Sequence, residues 1–256
     1  MARKPAWVVE KEKAENATFW LFGLHAVRDA LENPARRKLR LIVTKNAADK
    51  LKDALQSSGI NPEIADARKF PAPLDPGSVH QGAALEVRPL DWGGLSAVVP
   101  EVGPARVLLL DRVTDPHNVG AILRSAEVFG ASAVVAPQRH SAPESGALAK
   151  TASGALERQP YLRVKNLSVV MEELKTMGFQ VIGLAGEVEE TLETSLATAG
   201  DRVALVLGAE GPGLRDKTRA TCDRLVRIPF SGPFGSLNVS NAAAISLYAV
   251  ARQETT

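Results

Sequence analysis

The sequence predicts an α/β protein in which a small N-terminal α/β domain precedes a larger domain, built on a mostly parallel sheet with helices on both faces. From residue 105 onward, short continuous apolar runs recur, of the kind that is buried in a parallel sheet. Segments with helical apolar spacing alternate regularly with these runs. A stretch rich in proline and glycine, residues 89–104, precedes them and is typical of a linker.

This pattern divides the chain into four segments. Residues 1–20 are charged and contain proline without a sustained period, which is typical of a flexible arm. Residues 21–88 form the predicted small domain, residues 89–104 the linker, and residues 105–256 the larger domain.

The small domain is expected to contain alternating short helices and strands. A helix over residues 24–31 ends before Asn33-Pro34. A strand over residues 39–44, a helix over residues 47–58 closed by Gly59, and a strand over residues 83–87 follow it.

In the larger domain, the predicted strands cover residues 106–110, 132–136, 180–185 and 203–207. The predicted helices cover residues 119–129, 169–177 and 242–250. Ligands of such sheets bind beyond the carboxyl ends of the strands, so the loops there are expected to carry the functional residues.

Composition excludes several classes of protein. The single cysteine, Cys222, rules out an internal disulfide, and the four histidines have no metal-ligand spacing, so we expect no metal. No apolar stretch reaches the ~18 residues that span a bilayer, and the charged N-terminus does not resemble a secretory signal. We therefore expect a cytoplasmic protein without a membrane partner. A net charge of +2 is too small to indicate a nucleic-acid partner, but one local basic cluster stands out: Arg36, Arg37, Lys38 and Arg40.

The first candidate loop follows the predicted strand 106–110 and reads Asp111-Arg112-Val113-Thr114-Asp115-Pro116-His117-Asn118-Val119-Gly120. Asp115-Pro116 favours a turn, and Asn118 fits a helix N-cap. On a helical wheel, Arg124 lies off the apolar stripe of the following helix. Capping and solvation would by themselves explain Asn118 and Arg124.

The second candidate loop, Gly208-Ala209-Glu210-Gly211-Pro212-Gly213-Leu214, follows the predicted strand 203–207. Its glycines let the backbone come close to a ligand. The spacing matches neither the dinucleotide fingerprint nor the phosphate loop. Glu210, between glycines at a strand end, is therefore a candidate functional residue.

The third candidate segment runs from Ile228-Pro229 to Ser236-Leu237-Asn238-Val239-Ser240-Asn241, where a helix follows. Ser236, Asn238 and Ser240 alternate with apolar residues. Strand alternation or capping of the final helix would explain them without a functional role.

Taken together and in this order, the three segments resemble the three motifs of the SpoU family of RNA ribose 2′-O-methyltransferases, which belong to the SPOUT superfamily. Ala152-Ser153-Gly154-Ala155-Leu156 also fits this family, and the resemblance covers the chain from Arg106 onward. It implies S-adenosylmethionine as the cofactor and a ribose 2′-hydroxyl of structured RNA as the methyl acceptor. It also implies a C-terminal trefoil knot and a homodimer with the active site near the interface.

The N-terminal part resembles the family's small substrate-binding domain, which is L30e-like. The segments that carry this are Phe22-Gly23-Leu24-His25-Ala26-Val27 and His80-Gln81-Gly82. The pairing is most similar to bacterial family members that methylate a guanosine of 23S ribosomal RNA, so 23S rRNA is the predicted partner.

The resemblance also implies roles for individual residues. Arg124 would lie at the ribose hydroxyl, with Asn118 supporting it. Because a guanidinium stays protonated, we prefer that Arg124 holds the adjacent phosphate and stabilises the developing alkoxide, with proton abstraction as the other option. Glu210, Ser236 and Asn238 would position the nucleotide or each other.

The cofactor would lie against the backbone at Gly208, Ile228 and Leu237. Three alternatives remain open at this point: a non-catalytic ribosome-associated RNA-binding protein, a nucleotide-dependent enzyme that uses the glycine loop for phosphate, and a methyltransferase that acts on transfer RNA.

Overall fold

The computed structural model describes residues 17–232 and 236–253, and the chain divides into two compact units. The first unit runs up to Asp91 and also contains Glu144–Lys150, whereas the second contains Trp92–Pro143 and the chain from Thr151 onward. Most of the predicted arm lies outside the described residues. Its last two residues, Phe19 and Trp20, belong to a strand instead.

The first unit is a four-stranded sheet with helices. Its strands have the order β1-β4-β2-β3; β4 is antiparallel to both β1 and β2, and β3 is parallel to β2. The elements in chain order are β1 (Phe19–Phe22), α1 (Leu24–Glu32), β2 (Lys38–Val43), α2 (Lys45–Lys50), α3 (Lys52–Ser58), β3 (Glu63–Ile64), a 3₁₀ turn (Ala67–Lys69) and β4 (Ala83–Val87).

The predicted helix over residues 47–58 is two helices. Thr44 caps α2 by accepting a hydrogen bond from the Ala47 amide, so the helix begins earlier than predicted. The backbone of Leu51, at ψ 9°, leaves the helical region and separates α2 from α3, while its side chain is buried. Gly59 ends α3 in the left-handed conformation at φ 67°, as predicted.

The two segments that carry the N-terminal resemblance lie together. The Gly23 amide donates to the Ala83 carbonyl at 3.1 Å, and the Leu24 amide donates to Gln81 Oε1 at 3.0 Å. Gln81 therefore serves the start of α1 from a loop that lies 57 residues away in sequence.

Arg36, at the start of the predicted basic cluster, is not a solvated residue. It is 2% exposed, and one of its terminal nitrogens contacts Glu144 Oε2 at 2.8 Å and the Arg88 carbonyl at 2.7 Å. A buried guanidinium held in this way cannot also reach an RNA phosphate. Of the local basic cluster noted in the sequence, Arg36 is therefore not part of the exposed surface.

The second unit contains a six-stranded sheet in the order β10-β8-β9-β5-β6-β7. Every pairing between these strands in the described residues is parallel, which confirms the predicted parallel sheet. The strands are β5 (Ala105–Asp111), β6 (Ala133–Pro137), β7 (Tyr161–Val164), β8 (Gln180–Leu184), β9 (Arg202–Gly208) and β10 (Arg224–Val226). The helices after β4 are α4 (Leu95–Val98), α5 (Pro116–Val128), α6 (Gly146–Ala152), α7 (Leu167–Thr176), α8 (Leu192–Leu196), α9 (Asp216–Thr221) and α10 (Val239–Gln253), with a 3₁₀ turn at Ala155–Glu157. Of these, α6 belongs to the first unit as far as Lys150, and the others belong to the second.

Both faces of this sheet are buried. Val107 and Leu109 of β5 belong to the same core cluster as Met171 of α7. Leu108 and Leu110 point to the opposite face, because side chains alternate along a strand, and they are also fully buried. Their burial fits the continuous apolar runs from which the parallel sheet was predicted.

Several short elements were not predicted. The edge strands β7 and β10 are only four and three residues long, and they contain Arg163 and Arg224. A charged residue in so short a strand leaves no apolar run from which the strand could be predicted. The predicted linker contains α4, and Leu95 and Val99 there are buried in the core of the second unit. The trefoil knot stays a prediction.

Candidate active site

A cavity of about 570 Å³ lies at the carboxyl ends of β8, β9 and β10, where ligands of parallel sheets bind. The loop after β9 and the segment after β10 form much of its wall. Five of the predicted site residues line it: Gly208, Glu210, Ile228, Ser236 and Leu237. Its volume is in the range of small-molecule and cofactor sites, roughly 300–1,000 Å³.

The loop after β9 folds back on itself. The Gly213 amide donates to the Ala209 carbonyl at 3.0 Å, and a Cβ built on Gly208 would lie 2.2 Å from the carbonyl carbon of Gly213. Gly213 itself has φ 67°, a conformation that favours glycine. The close approach that requires a glycine at 208 is therefore made by the loop's own backbone.

Three polar side chains from the three motifs form one hydrogen-bonded group, the amide–carboxylate cluster of Asn118, Glu210 and Asn238. Asn118 Nδ2 donates to Glu210 Oε1 at 3.1 Å. Asn238 Nδ2 lies 2.8 Å from the same oxygen and 2.9 Å from Asn118 Oδ1. The cluster joins the start of α5, the glycine loop and the start of α10, and Glu210 connects it to the cavity wall.

Asn118 is not the cap of α5. Asp115 holds that position, because its side chain accepts a hydrogen bond from the His117 amide at 2.9 Å, and Pro116 begins the helix. Asn118 lies in the first turn, where its side chain is not needed for capping and instead enters the amide–carboxylate cluster. The prediction of Asn118 as an N-cap is wrong, and this strengthens its candidacy as a functional residue.

Asn238 has two functions at once. Its Oδ1 accepts from the Ser240 amide at 2.9 Å and the Ser240 hydroxyl at 2.6 Å, which caps α10. Its Nδ2 makes the two contacts within the cluster. The sequence left capping and a place in the candidate site as alternatives for Asn238. In the structure the same side chain does both.

One ion pair near the site was missed by sequence reasoning. Asp111, fully buried at the end of β5, accepts from Arg215 Nε at 2.7 Å and from the Arg215 amide at 3.0 Å. The pair attaches the end of the glycine loop to the neighbouring strand. A carboxylate directly after an otherwise apolar buried strand was the signal that could have identified it.

A second ion pair lies on the cavity wall. Glu187, after β8, accepts a hydrogen bond from Arg219 of α9, and both residues line the cavity. A backbone hydrogen bond, and then Arg219, hold the pKa of the Glu187 carboxyl below its ordinary value. This part of the wall thus carries paired opposite charges.

Arg124 is not among the residues that line the cavity, and no hydrogen bond joins it to the amide–carboxylate cluster. It is exposed on α5, six residues after Asn118, which corresponds to about 9 Å along the helix axis. Within the described part of the chain, its guanidinium has no hydrogen-bond or ion-pair partner. The structure therefore brings together all the predicted site residues except this one.

The described residues contain neither a metal-binding cluster nor a membrane-spanning helix. In ranges 17–232 and 236–253, no group of three or more His, Cys, Asp or Glu side chains is arranged to hold a metal ion. In the same ranges, no helix has the length and apolar character needed to cross a membrane.

Comparison with known proteins places the chain in a family. Residues 105–248 match the SpoU rRNA Methylase family, and this is more than half of the chain. The chain belongs to the SpoU rRNA methylase family. Residues 20–92 match the RNA 2′-O ribose methyltransferase substrate binding domain that accompanies it.

Curated relatives of this SpoU family member match it over nearly the whole chain. It is 39% identical over 242 residues to the 23S rRNA (guanosine-2′-O-)-methyltransferase RlmB of Escherichia coli, covering 92% of this chain and 98% of the relative. The RlmB of Yersinia pestis is 38% identical, covering 91% and 96%.

Among solved structures, the SpoU methyltransferase AviRb from Streptomyces viridochromogenes, in complex with the cofactor AdoMet, has a similar fold. The TM-score is 0.79 at 24% identity, over 96% of this chain and 94% of that one. This likeness confirms the predicted α/β fold of the SpoU methyltransferases.

Proposed function

We propose that this SpoU family member transfers the methyl group of S-adenosylmethionine to the ribose 2′-hydroxyl of a guanosine in 23S ribosomal RNA. The RlmB relatives, similar over more than nine-tenths of the chain, supply the substrate class. The observation that carries the proposal is the amide–carboxylate cluster of Asn118, Glu210 and Asn238, which Glu210 connects to the wall of a cofactor-sized cavity. A non-catalytic RNA-binding protein would have no use for this arrangement.

The cavity suits S-adenosylmethionine in its volume and in its glycine-rich lining. Its volume of about 570 Å³ and its glycine-rich backbone lining accommodate an adenosine with a methionine chain. Gly208, Ile228 and Leu237 are the residues proposed to hold the cofactor, through main-chain donors and acceptors. When bound, the cofactor supplies a methyl group that its sulfonium already activates.

The protein's own residues then have to align the acceptor oxygen and ease the loss of its proton, since a ribose hydroxyl is a poor nucleophile. Glu210 Oε1 is occupied by two amide donors, which fixes the carboxylate and leaves Oε2 without a partner among the described residues. We propose that Oε2 accepts a hydrogen bond from the bound nucleotide. Ser236, on the same wall, is proposed to position it further.

Arg124 is proposed to act from outside the cavity. Its exposed guanidinium can hold a phosphate next to the target ribose and stabilise the alkoxide that develops on the 2′-oxygen. We prefer this role to direct proton abstraction, since a guanidinium stays protonated.

The remaining parts of the proposal concern partners. The first unit, which includes the substrate-binding match at residues 20–92, is proposed to bind RNA outside the target nucleotide. A cytoplasmic homodimer completes the proposal; sedimentation analysis of the purified chain would test its dimeric state.

The experiment that tests the function is methylation of defined RNA. The purified protein, S-adenosylmethionine with a labelled methyl group, and unmodified transcripts of 23S rRNA or of transfer RNAs are incubated, and 2′-O-methyl positions are mapped. We expect one guanosine of 23S rRNA to be methylated. Methylation of transfer RNA alone would show that the substrate is transfer RNA and not 23S rRNA. Absence of cofactor binding in calorimetry would contradict the proposed enzymatic activity.

A further inference from the structure

A second cavity of the second unit, of about 300 Å³, has a strongly basic lining. Its wall includes the side chains of four lysines and arginines and of one histidine: Arg139, His140, Lys165, Arg215 and Lys217. No aspartate or glutamate is among its lining residues. We call it the basic cavity.

The two lysines on this wall carry positive charge that the protein does not neutralise within the described ranges. Lys165, Lys217 and His140 are exposed, and none of their side chains has a hydrogen-bond or ion-pair partner in the described ranges. Arg215 gives only its Nε and backbone amide to Asp111, and its terminal nitrogens are without partners in the same ranges. Like charges placed around one cavity repel each other, so this arrangement is most stable with an anion between them.

The basic cavity lies at the same edge of the sheet as the candidate active site. Pro137 ends β6 and Lys165 follows β7, so the lining comes from the carboxyl ends of these strands. The glycine loop connects the two cavities, since Leu214 lines the first and Arg215 the second. An elongated ligand that reaches across this edge could occupy both.

We propose that the basic cavity binds a backbone phosphate of the RNA substrate, a few nucleotides from the methylated ribose. This inference rests on the proposed function for the identity of the ligand. The chemistry on the wall is that of a phosphate site: guanidinium and ammonium donors, together with the polar side chains of Asn166 and Ser168. The first turn of α7 forms part of the wall, and the N-terminal end of a helix favours negative charge.

The test compares two double variants with the same change of charge. Lys165→Gln/Lys217→Gln removes two positive charges from the basic cavity. Lys175→Gln/Arg252→Gln removes two from elsewhere in the second unit; Lys175 lies near the other end of α7, about 12 Å along the helix from its first residue. Arg215 is left intact, because its contact with buried Asp111 supports the fold.

Affinity for the shortest 23S rRNA fragment that the wild type methylates is measured between 50 and 300 mM salt, about the range over which phosphate contacts are weakened. We expect the cavity variant to bind about tenfold more weakly than the control variant. Its slope of log affinity against log salt should fall by about one. Equal affinities and slopes for the two double variants would overturn the proposal.

A second measurement separates a specific site from general electrostatic attraction. Single phosphates around the target ribose are replaced in turn by neutral methylphosphonates. At one position, the replacement should weaken binding of the wild type and the control variant but not of the cavity variant. If no position behaves in this way, the cavity contributes only a diffuse field and the proposal is wrong.

The two proposals can fail independently. Calorimetry with S-adenosylmethionine should give the same affinity for the wild type and both double variants, because neither alters the first cavity. If the wild type binds no cofactor and methylates no RNA, the proposed function fails. Salt-dependent binding of an unmodified 23S rRNA transcript then still decides whether the basic cavity holds phosphate.

Discussion

Asn238 Nδ2 donates to Glu210 Oε1 at 2.8 Å across 28 residues of sequence, while Oδ1 of the same side chain caps α10. The two ends of one amide thus serve different purposes, and substitution can separate them. Aspartate keeps an acceptor for the cap but loses the donor and places a second carboxylate beside Glu210.

We therefore expect Asn238→Asp to retain the thermal stability of the wild type within a few degrees and to lose about 10² or more in methylation rate. Asn238→Ala should lose a comparable rate and also about 1 kcal/mol of stability, because the cap is removed. Thermal unfolding and single-turnover methylation measure the two effects. Normal turnover in Asn238→Asp would leave the residue with a capping role only.

The buried pair of Arg36 and Glu144 predicts a large effect on stability. Arg36→Ala leaves the Glu144 carboxylate buried without its partner, and such changes typically cost about 3–5 kcal/mol. Arg37→Ala is the matched control, because Arg37 is exposed and surface changes are usually within about 0.5 kcal/mol. Urea unfolding of the full chain measures both. Equal stabilities of the two variants would contradict the structural role of Arg36.

This pair also shows why part of the basic cluster was misread. Arg36 and Glu144 lie 108 residues apart in sequence, and no local pattern indicates that they meet. By contrast, the strands β5 and β9 were predictable, because strands buried on both faces are continuously apolar. The motif residues were identified by their resemblance to a family, but the hydrogen bond between Asn118 and Glu210, 92 residues apart, needed the structure.

Substitution of Gly208 is expected to distort its own loop and not merely to clash with the cofactor. The sequence suggested that the glycines of this loop let the backbone come close to a ligand, so that an added side chain would meet the ligand. In the structure a Cβ would meet the backbone of Gly213 and Leu214 at 2.2–2.5 Å. We expect Gly208→Val to abolish cofactor binding and also lower the unfolding temperature. Gly200→Ala is the control, since nothing lies within 4 Å of its added Cβ.

In this experiment the two explanations give different results. A distorted loop lowers the unfolding temperature of Gly208→Val without any cofactor present, as scanning calorimetry would show. An unchanged unfolding temperature with lost cofactor binding would restore the first explanation, in which the side chain only meets the ligand.

Because the thiol of Cys222 is partly buried, we expect the stability of the protein to fall at alkaline pH. Burial raises the pKa of its thiol to about 12, whereas the unfolded thiol titrates near ~8.5. The folded state therefore disfavours the thiolate, and stability is lost as the pH rises from about 8.5 toward 12. In urea unfolding at pH 8 and pH 10, the stability advantage of the wild type over Cys222→Ala should shrink at the higher pH. A constant difference would contradict burial as the cause.

Substitution of Arg124 is expected to lower the methylation rate without weakening cofactor binding. If its guanidinium stabilises charge that develops only in the transition state, Arg124→Ala should reduce methylation by about 10²–10³ while cofactor affinity stays unchanged. Because Arg124 is exposed and has no partner within the described ranges, the substitution should leave the unfolding temperature unchanged. Arg252→Ala, another exposed arginine of the second unit, is the control and should turn over normally.

Two further measurements on Arg124 distinguish stabilisation from proton abstraction. Arg124→Lys keeps the charge but loses the planar fork of donors, so it should remain impaired. The pH–rate profile of the wild type should show no limb that disappears in Arg124→Ala, since a residue that only stabilises charge does not accept the proton. A limb that vanishes with the alanine substitution would make Arg124 the base. Near-normal turnover of Arg124→Ala with saturating RNA and cofactor would instead direct attention to Glu210.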